Sequence, residues 1–454
     1  MTDTPSTAAE PQGKTPLSSS QDRHWFAKAI APYKRPEMAA MLLLGFASGL
    51  PLYLVYQKTS FWLRLEGIDR STIGFFYWVG MAYSFKFLWA PIIDKLTLPY
   101  LTKRVGHRRS WMIVSIMGTM AGLFLIASGT PSESLVNITI GAIVLAFSGA
   151  TLDVSIDAWR IESAPSERQA NMAASYSLGY RGALIFSGLG FVIADFSNWN
   201  LSFVVMGLTM GLCAGLILLI SEPPRAAKIV ITSQDKLSTR LYKLFGEPFT
   251  QVAARFGWLL LPILLLVMIY RLSDFTMGVM ASPLYADLGY APAVVGGIQS
   301  GPGVAAIIVG LFLGGAAAQR FGIMPSLVIG ALITFLTNGA YAWFASVATG
   351  EDPWMLTFAI CADNVAGGFV TTVFIAYLSS LVDPAQAATQ YALFSSLYAT
   401  LNKFVAGFSG VMADALGYVN FFLVTASYAL PAAGLVILVA WLQTRHPPKP
   451  LPGE

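Results

Sequence analysis

Charge is scarce in this chain of 454 residues. Only 11% of them are Asp, Glu, Lys or Arg, against roughly 25% in soluble domains, so an ordinary water-facing surface is excluded. There are two cysteines, Cys213 and Cys361, and both fall inside long apolar stretches. That placement excludes a disulfide framework or a thiolate metal cluster, and they read as small core residues. The three histidines, His24, His107 and His446, lie outside those stretches. No imidazole is therefore available at depth for metal binding or proton relay, and a proton carrier there has to be a carboxylate. A Gly-x-x-x-x-Gly-Lys-Ser/Thr phosphate loop does not occur, which disfavours an ATP-driven machine. Residues 1–37 are Ser/Thr/Pro-rich and charged with no apolar core. No cleaved leader is expected, and the first apolar stretch is expected to act as the targeting signal.

What the chain has in excess is hydrophobicity, at 55% of residues and a mean hydropathy of +0.62. An all-α membrane protein is predicted. Stretches of about 20 apolar residues, long enough to cross a bilayer, are read at 38–57, 73–94, 111–129, 137–160, 172–194, 201–221, 257–284, 293–318, 324–346, 354–381, 389–413 and 419–442. That is twelve transmembrane helices. Of the 28 Lys and Arg, 21 fall in the tails and the alternate loops of one side, and three (Lys58, Arg64, Arg70) on the other. Cytoplasmic loops retain positive charge, so both termini are predicted to be cytoplasmic. The net charge of +4 is accounted for by this retention and gives no reason to invoke nucleic acid.

Shifting the sequence by 222 positions brings like residues together. Gly67-Ile68 and Ile73-Gly74 land on Gly289-Tyr290 and Val295-Gly296, Arg181 lands on Lys403, and Ser187-Gly188 on Ser409-Gly410. The chain is therefore read as two six-helix halves, 38–221 and 257–443, between a polar tail 1–37, a cytoplasmic linker 222–256 and a short tail 444–454. Parallel six-helix repeats characterise the major facilitator fold, whose substrate site lies between the halves near the midplane. Within the linker, Leu237, Leu241, Leu244 and Phe245 recur at helical spacing among Lys and Arg, as expected of a helix lying on the membrane surface.

Charges at membrane depth carry the functional argument. Each costs about 2.5–3.5 kcal/mol on insertion scales, so such groups face the bundle interior and pair. The set is Lys86, Asp153, Asp157, Arg160, Arg181, Arg271, Asp274, Asp363 and Lys403. At ~1.5 Å per residue, Lys86, Asp153 and Arg181 lie about 12–14 Å from the cytoplasmic side. They are expected to form one cluster with Asp153 between two cations. Asp153, Asp157 and Arg160 share one helical face. Asp153 and Asp157 are the candidates for proton coupling, while Asp157 and Arg160 also suit a gate that completes a latch with Asp94. Asp94, Arg108 and Arg109, in the loop between the second and third spans, suit a cytoplasmic latch or a charge signal for orientation. Arg271 and Asp274, three apart, can pair in their own helix. Lys403 either pairs with Asp363, beside Asn364, or waits for an anionic ligand. Tyr53, Tyr56 and Tyr180, with Gln390, are further candidate ligand contacts, though packing roles are commoner for membrane tyrosines. No cofactor or metal is implied, and a monomer is expected. A membrane-embedded enzyme is the rival class, since paired acids at depth suit acid–base chemistry. The duplicated halves, each supplying charges, favour a transporter.

Six spaced motifs sharpen this reading: Gly45-Phe46-Ala47-Ser48-Gly49-Leu50-Pro51-Leu52, Lys86-Phe87-Leu88-Trp89-Ala90-Pro91 with Asp94, Gly106-His107-Arg108-Arg109-Ser110-Trp111, Asp153-Val154-Ser155-Ile156-Asp157-Ala158-Trp159-Arg160, Gly179-Tyr180-Arg181, and Thr389-Gln390-Tyr391-Ala392-Leu393. From about Leu42 to Phe422 the chain resembles the AmpG muropeptide permease family. The resemblance implies proton-driven import of anhydro-muropeptides from periplasm to cytoplasm across the bacterial inner membrane, for peptidoglycan recycling, with a link to β-lactamase induction in some bacteria. It implies an anionic sugar-peptide as partner. Leu152 stands where the family usually has glutamine, and Asp363 where glutamate is common. Related permeases of the wider group resemble carriers of siderophores and other anionic small molecules.

Overall fold

The computed structural model describes residues 35–164, 166–223, 247–382 and 387–447. The described chain is helical throughout, apart from an isolated bridge between Thr130 and Ser134. Ten helices are long and apolar enough to cross a membrane. They are α1 Pro36–Leu65, α3 His107–Ala127, α4 Val136–Ser163, α5 with a core of Asn171–Phe196, α6 Trp199–Ile217, α7 Val252–Asp287, α8 Pro292–Phe321, α9 Ile323–Val347, α10 Pro353–Leu381 and α12 Ser409–Arg445. The other two predicted spans are helical but interrupted. Segment α2 is a chain of short pieces, Arg70–Phe76, Tyr77–Gly80, Met81–Phe85, Lys86–Leu88 and Ala90–Lys95, two of them 3-10 turns. Segment α11, Ala387–Ala406, continues through a turn at Gly407 and Phe408 into α12, which is itself broken at Gly417 (φ 72°). The surface helix expected around residues 236–249 lies mostly outside the described residues, as do tail residues 1–34 and 448–454.

The first helix runs to Leu65, beyond the predicted end at 57, because a π-helical turn, Leu54–Thr59, carries it on. Lys58, expected in an outer loop, is consequently buried inside the first half, its ammonium 5.2 Å from the centre of the Phe191 ring. Lipid tails are as apolar as Leu, so helices associate through close packing of small residues and internal hydrogen bonds more than through a hydrophobic drive. The crossing of α3 and α4 shows the device. A β-carbon on Gly122 would stand 2.6 Å from the Gly141 carbonyl, and one on Gly141 would stand 2.6 Å from that of Gly122.

The halves meet by the same principle, twice. A β-carbon on Gly74 of α2 would lie 2.7 Å from the Gly407 carbonyl and 2.8 Å from the Gly410 nitrogen, and one on Gly410 would strike the Arg70 carbonyl. Across the bundle, a β-carbon on Gly188 of α5 would lie 2.8 Å from the Gly296 carbonyl of α8, and one on Gly296 would return the same 2.8 Å contact to Gly188. These four glycines are the ones superposed by the 222-residue shift, 74 on 296 and 188 on 410. Both seams lie toward the end of the bundle at which Arg64 and Arg70 stand, called here the far end. The opposite, basic end carries Arg35, Arg108, Arg109 and Arg168, and among the described residues every ion pair there stays within residues 35–222.

Candidate functional site

The charges of the first half form one chain of contacts. The Ser48 hydroxyl of α1 donates to Asp153 at 2.5 Å and lies 2.6 Å from the Tyr176 hydroxyl of α5. The Lys86 ammonium stands 3.5 Å from Asp153 and 3.7 Å from Asp157, and Arg160 reaches Asp157 at 3.7 Å. Lys86 gets there because α2 breaks into a 3-10 turn, Lys86–Leu88, at that depth. The shelter differs along the chain. The side chain of Asp157 is 56% exposed and that of Asp153 only 16%.

The arrangement reverses the expected one, in which Asp153 lies between two cations. A single cation, Lys86, lies between two aspartates. The other side of Asp153 is filled by the Ser48 hydroxyl, and Arg181 instead lies near enough to the Tyr53 hydroxyl for its charge to act on it. Among the described residues Arg181 has no carboxylate partner. Tyr53 and Tyr180 pack edge to face beside it, with ring centres 5.5 Å apart. Tyr56 packs against Tyr77, ring centres 4.3 Å apart, with its hydroxyl at the place a β-carbon on Gly80 would take. Leu152, which replaces the family's usual glutamine, is fully buried among core side chains.

Lys403 does not take the first of its two expected courses, pairing with Asp363. Its ammonium crosses from the second half to the first and donates to the backbone carbonyl of Gly80 at 3.0 Å, over the Tyr83 ring. Gly80 closes the 3-10 turn Tyr77–Gly80 in α2, where irregular winding leaves a carbonyl free to accept. Asp363 is left without an ion pair or hydrogen bond among the described residues. Its charged neighbours are Asp274 and Arg271, and Arg271 is already held by Asp274 at 3.2 Å, the pairing expected within α7. Asn364 points to α8, donating to the Gly303 carbonyl at 3.0 Å. Gln390 is buried near the start of α11.

At the basic end, Arg108 binds Asp94 at 2.7 Å and Glu162 at 2.7 Å, while the backbone N–H groups of Arg108 and Arg109 donate to Glu222. Glu162, at the end of α4, takes the second side of Arg108. Asp94 is thereby kept apart from Asp157 and Arg160, which belong to the Lys86 chain.

A far-end network escapes the sequence reading, which counts Arg64 and Arg70 only as the sparse cations of that side. Asp287, at the end of α7, accepts from Arg64 at 2.5 Å, from Arg70 at 3.0 Å and from the Tyr418 hydroxyl at 2.8 Å. Asp414 of α12 accepts from the Ser71 amide at 3.0 Å and its hydroxyl at 2.6 Å. Two acids at span ends of the second half, facing two arginines of the first, are the signal that could have revealed it. One carboxylate serves three donors from both halves, so its loss releases them together. Asp287→Asn is expected to weaken far-end closure by about 1–2 kcal/mol, a five- to thirtyfold shift in the open population. Faster labelling of a cysteine at Ser71 by a membrane-impermeant maleimide would show it, and an unchanged rate would refute it.

Comparison with known proteins places this architecture. The profile described as Major Facilitator Superfamily matches residues 38–406, and again 263–454. The chain belongs to that superfamily of membrane transporters, and within it to the AmpG-like permeases. The anhydromuropeptide permease of Escherichia coli (strain K12) is 33% identical over 415 residues, covering 91% of this chain and 81% of that protein. Two solved structures share the fold at 14% identity. One is a bacterial homologue of the human lysosomal transporter Spinster, inward-facing and unoccupied, with a TM-score of 0.66 over 90% of this chain and 96% of the other. The second is the nucleoside transporter NupG, with a TM-score of 0.66 over 89% of this chain and 98% of the other. The chain is a multi-pass inner-membrane protein.

Proposed function

We propose that this chain is a proton-coupled importer of anhydro-muropeptides, GlcNAc-anhydroMurNAc and its peptides, moving them from periplasm to cytoplasm for peptidoglycan recycling. The observation that carries the cargo is the 33% identity, over 91% of the chain, to a protein named for that cargo. On this reading twelve segments cross the membrane, counting α2 and the pair α11 and α12 as interrupted spans, and both termini are cytoplasmic. The far end is then periplasmic, and the halves, sealed there and with no ion pair between them at the basic end among the described residues, present an inward-facing state of a monomeric, alternating-access carrier. Substrate contacts are assigned to Arg181, Tyr53, Tyr180, Asp363 and Lys403. Proton coupling is assigned to Asp153 and Asp157 with Lys86. Arg108 with Asp94 and Glu162 braces the cytoplasmic end of the first half.

Coupling alternating access to a proton needs a group whose protonation differs between the two states of the bundle. Asp153 meets that need, because protonating it leaves Lys86 with one counter-charge instead of two, in a place where Lys403 stands close enough to feel both. The test is uptake of labelled GlcNAc-anhydroMurNAc-peptide into proteoliposomes with an imposed inward proton gradient. Accumulation that collapses when the gradient is dissipated is expected. Uptake indifferent to the gradient would remove the proton from the mechanism, and no uptake at all would remove the cargo.

A further inference from the structure

The repeat leaves one place in the second half without its clasp. In the first half the basic ends of α2, α3 and α4 are tied by Asp94, Arg108 and Glu162, one residue from each segment. The 222-residue shift carries those positions onto Ala316, Gly330 and Pro384, so the corresponding end of α8, α9 and α10 has neither the arginine nor its two acids.

A groove of about 350 Å³ lies at that place. Both α8 and α9 pack more extensively on α10 than on each other. The α8 backbone sits so close to α10 that a β-carbon on Gly314 would stand 2.6 Å from the Phe369 carbonyl. A tight turn at Gly322 (φ 85°) joins α8 to α9, and the groove opens between them over α10. Its walls include Leu313, Ala316 and Phe321 of α8 with Ile329 and Ile333 of α9, and Phe369 lies in its floor. Leu313 and Phe321 are each more than half exposed, and Arg320 is the one polar side chain of the lining. An open apolar surface of this kind on a membrane-spanning bundle faces hydrocarbon, so the groove stands apart from the charged set of the central site.

Arg320 occupies the last turn of α8, at the basic end of the groove. Its guanidinium lies 5.6 Å from the centre of the Phe321 ring, and among the described residues it has no acid. Arg108, by contrast, has two. A cation in the last turn suits the helix dipole, which accounts for the charge and leaves the groove beside it unexplained. Basic pockets between spans at the cytoplasmic side take anionic lipid headgroups, and here the crevice below the cation offers an acyl chain a seat.

We propose that the groove of α8, α9 and α10 is a site for one anionic glycerophospholipid, with its phosphate on Arg320 and an acyl chain along Ala316 and Ile333. The phosphate then supplies to the second half the negative charge that Asp94 and Glu162 supply to the first, and the chain fills the space that small residues leave. The bound lipid holds three helices together at an end where, among the described residues, no ion pair joins the halves. The site is independent of which cargo is carried.

The test is native mass spectrometry of the full-length protein in detergent, with phosphatidylglycerol and phosphatidylcholine of the same acyl chains in competition, and thermal unfolding of the same samples. Wild-type protein is expected to retain one phosphatidylglycerol in preference to phosphatidylcholine and to unfold at a higher temperature with it. Arg320→Gln should cut that preference about fivefold, the effect of losing one basic contact at a membrane surface, and Arg320→Lys should keep most of it. Ala316→Phe, which fills the groove from its wall and leaves the charge in place, should lose the retained lipid and the thermal gain. Glycerol 3-phosphate, the headgroup without chains, should give no thermal gain, which separates a lipid from free phosphate. Wild-type preference in Arg320→Gln would overturn the proposal, as would wild-type retention in Ala316→Phe or a thermal gain from glycerol 3-phosphate equal to that from the lipid. Should Ala316→Phe fail to fold, the Gln and Lys pair at Arg320 decides alone.

Discussion

Replacing Asp153 by Asn is expected to abolish concentrative uptake, with a loss of about a hundredfold or more, while counterflow of substrate across the membrane continues. The size follows from the role, since removing a positioned proton-transfer group typically costs 10²–10⁴-fold, about 3–5 kcal/mol of barrier. The direction follows from the geometry. Asparagine keeps an oxygen to accept from Ser48 and fills the same volume, so packing among α1, α2 and α4 is preserved. It cannot take up or release a proton, so exchange of bound cargo survives and accumulation against a gradient does not. Lys86 keeps Asp157 as a partner, which protects the fold from an uncompensated buried charge. Uptake with and without a proton gradient, measured beside counterflow in the same vesicles, separates the two functions. Equal loss of both would show that Asp153 only holds the bundle together.

A leucine at Gly410 is expected to be nearly as damaging by a different route. The β-carbon alone collides with the Arg70 carbonyl, and the neighbouring atoms are backbone on both sides, so no side chain can move aside. Overpacking of this kind costs about 1–3 kcal/mol in a fixed core and more where backbone must shift. Here the halves have a way to relieve it, which is to part at the far end. Gly410→Leu should therefore hold the far end open, cut uptake at least tenfold and raise far-end cysteine labelling, with little change in thermal unfolding. Gly188→Leu should do the same through the second seam. A variant that unfolds instead, or that transports at the wild-type rate, would show that the seams are not the closing surfaces.

The fold was largely legible in the sequence because hydrophobic length and the 222-residue shift each report on backbone needs that every span shares. The interrupted segments were not, because the 3-10 turns of α2 sit in stretches as apolar as any regular helix. Depth along a helix was also a poor guide to pairing. Asp153, Lys86 and Arg181 share a depth, yet Ser48, a small polar residue with no charge to draw notice, decides which side of Asp153 is available. The expected pairing of Lys403 with Asp363 fails for a related reason, since side-chain logic looks for a carboxylate and the partner here is a main-chain carbonyl. Asp287 and Asp414 went unnoticed because acids at span ends look like ordinary loop residues until the second half is laid against the first.

The two glycine seams have a meaning beyond closure. Each joins a position of the Gly74 kind on one half to a position of the Gly188 kind on the other, and the second seam is the first with the halves exchanged. That is the contact rule of an isologous pair, in which patch i of one subunit meets patch j of its twin and the reverse. A single six-helix chain carrying both glycines would have made both seams at once by pairing with its own copy. Fusion of two such copies would have freed Arg181 and Lys403, which the 222-residue shift superposes, to diverge, so that Lys403 alone now spans the divide to the Gly80 carbonyl.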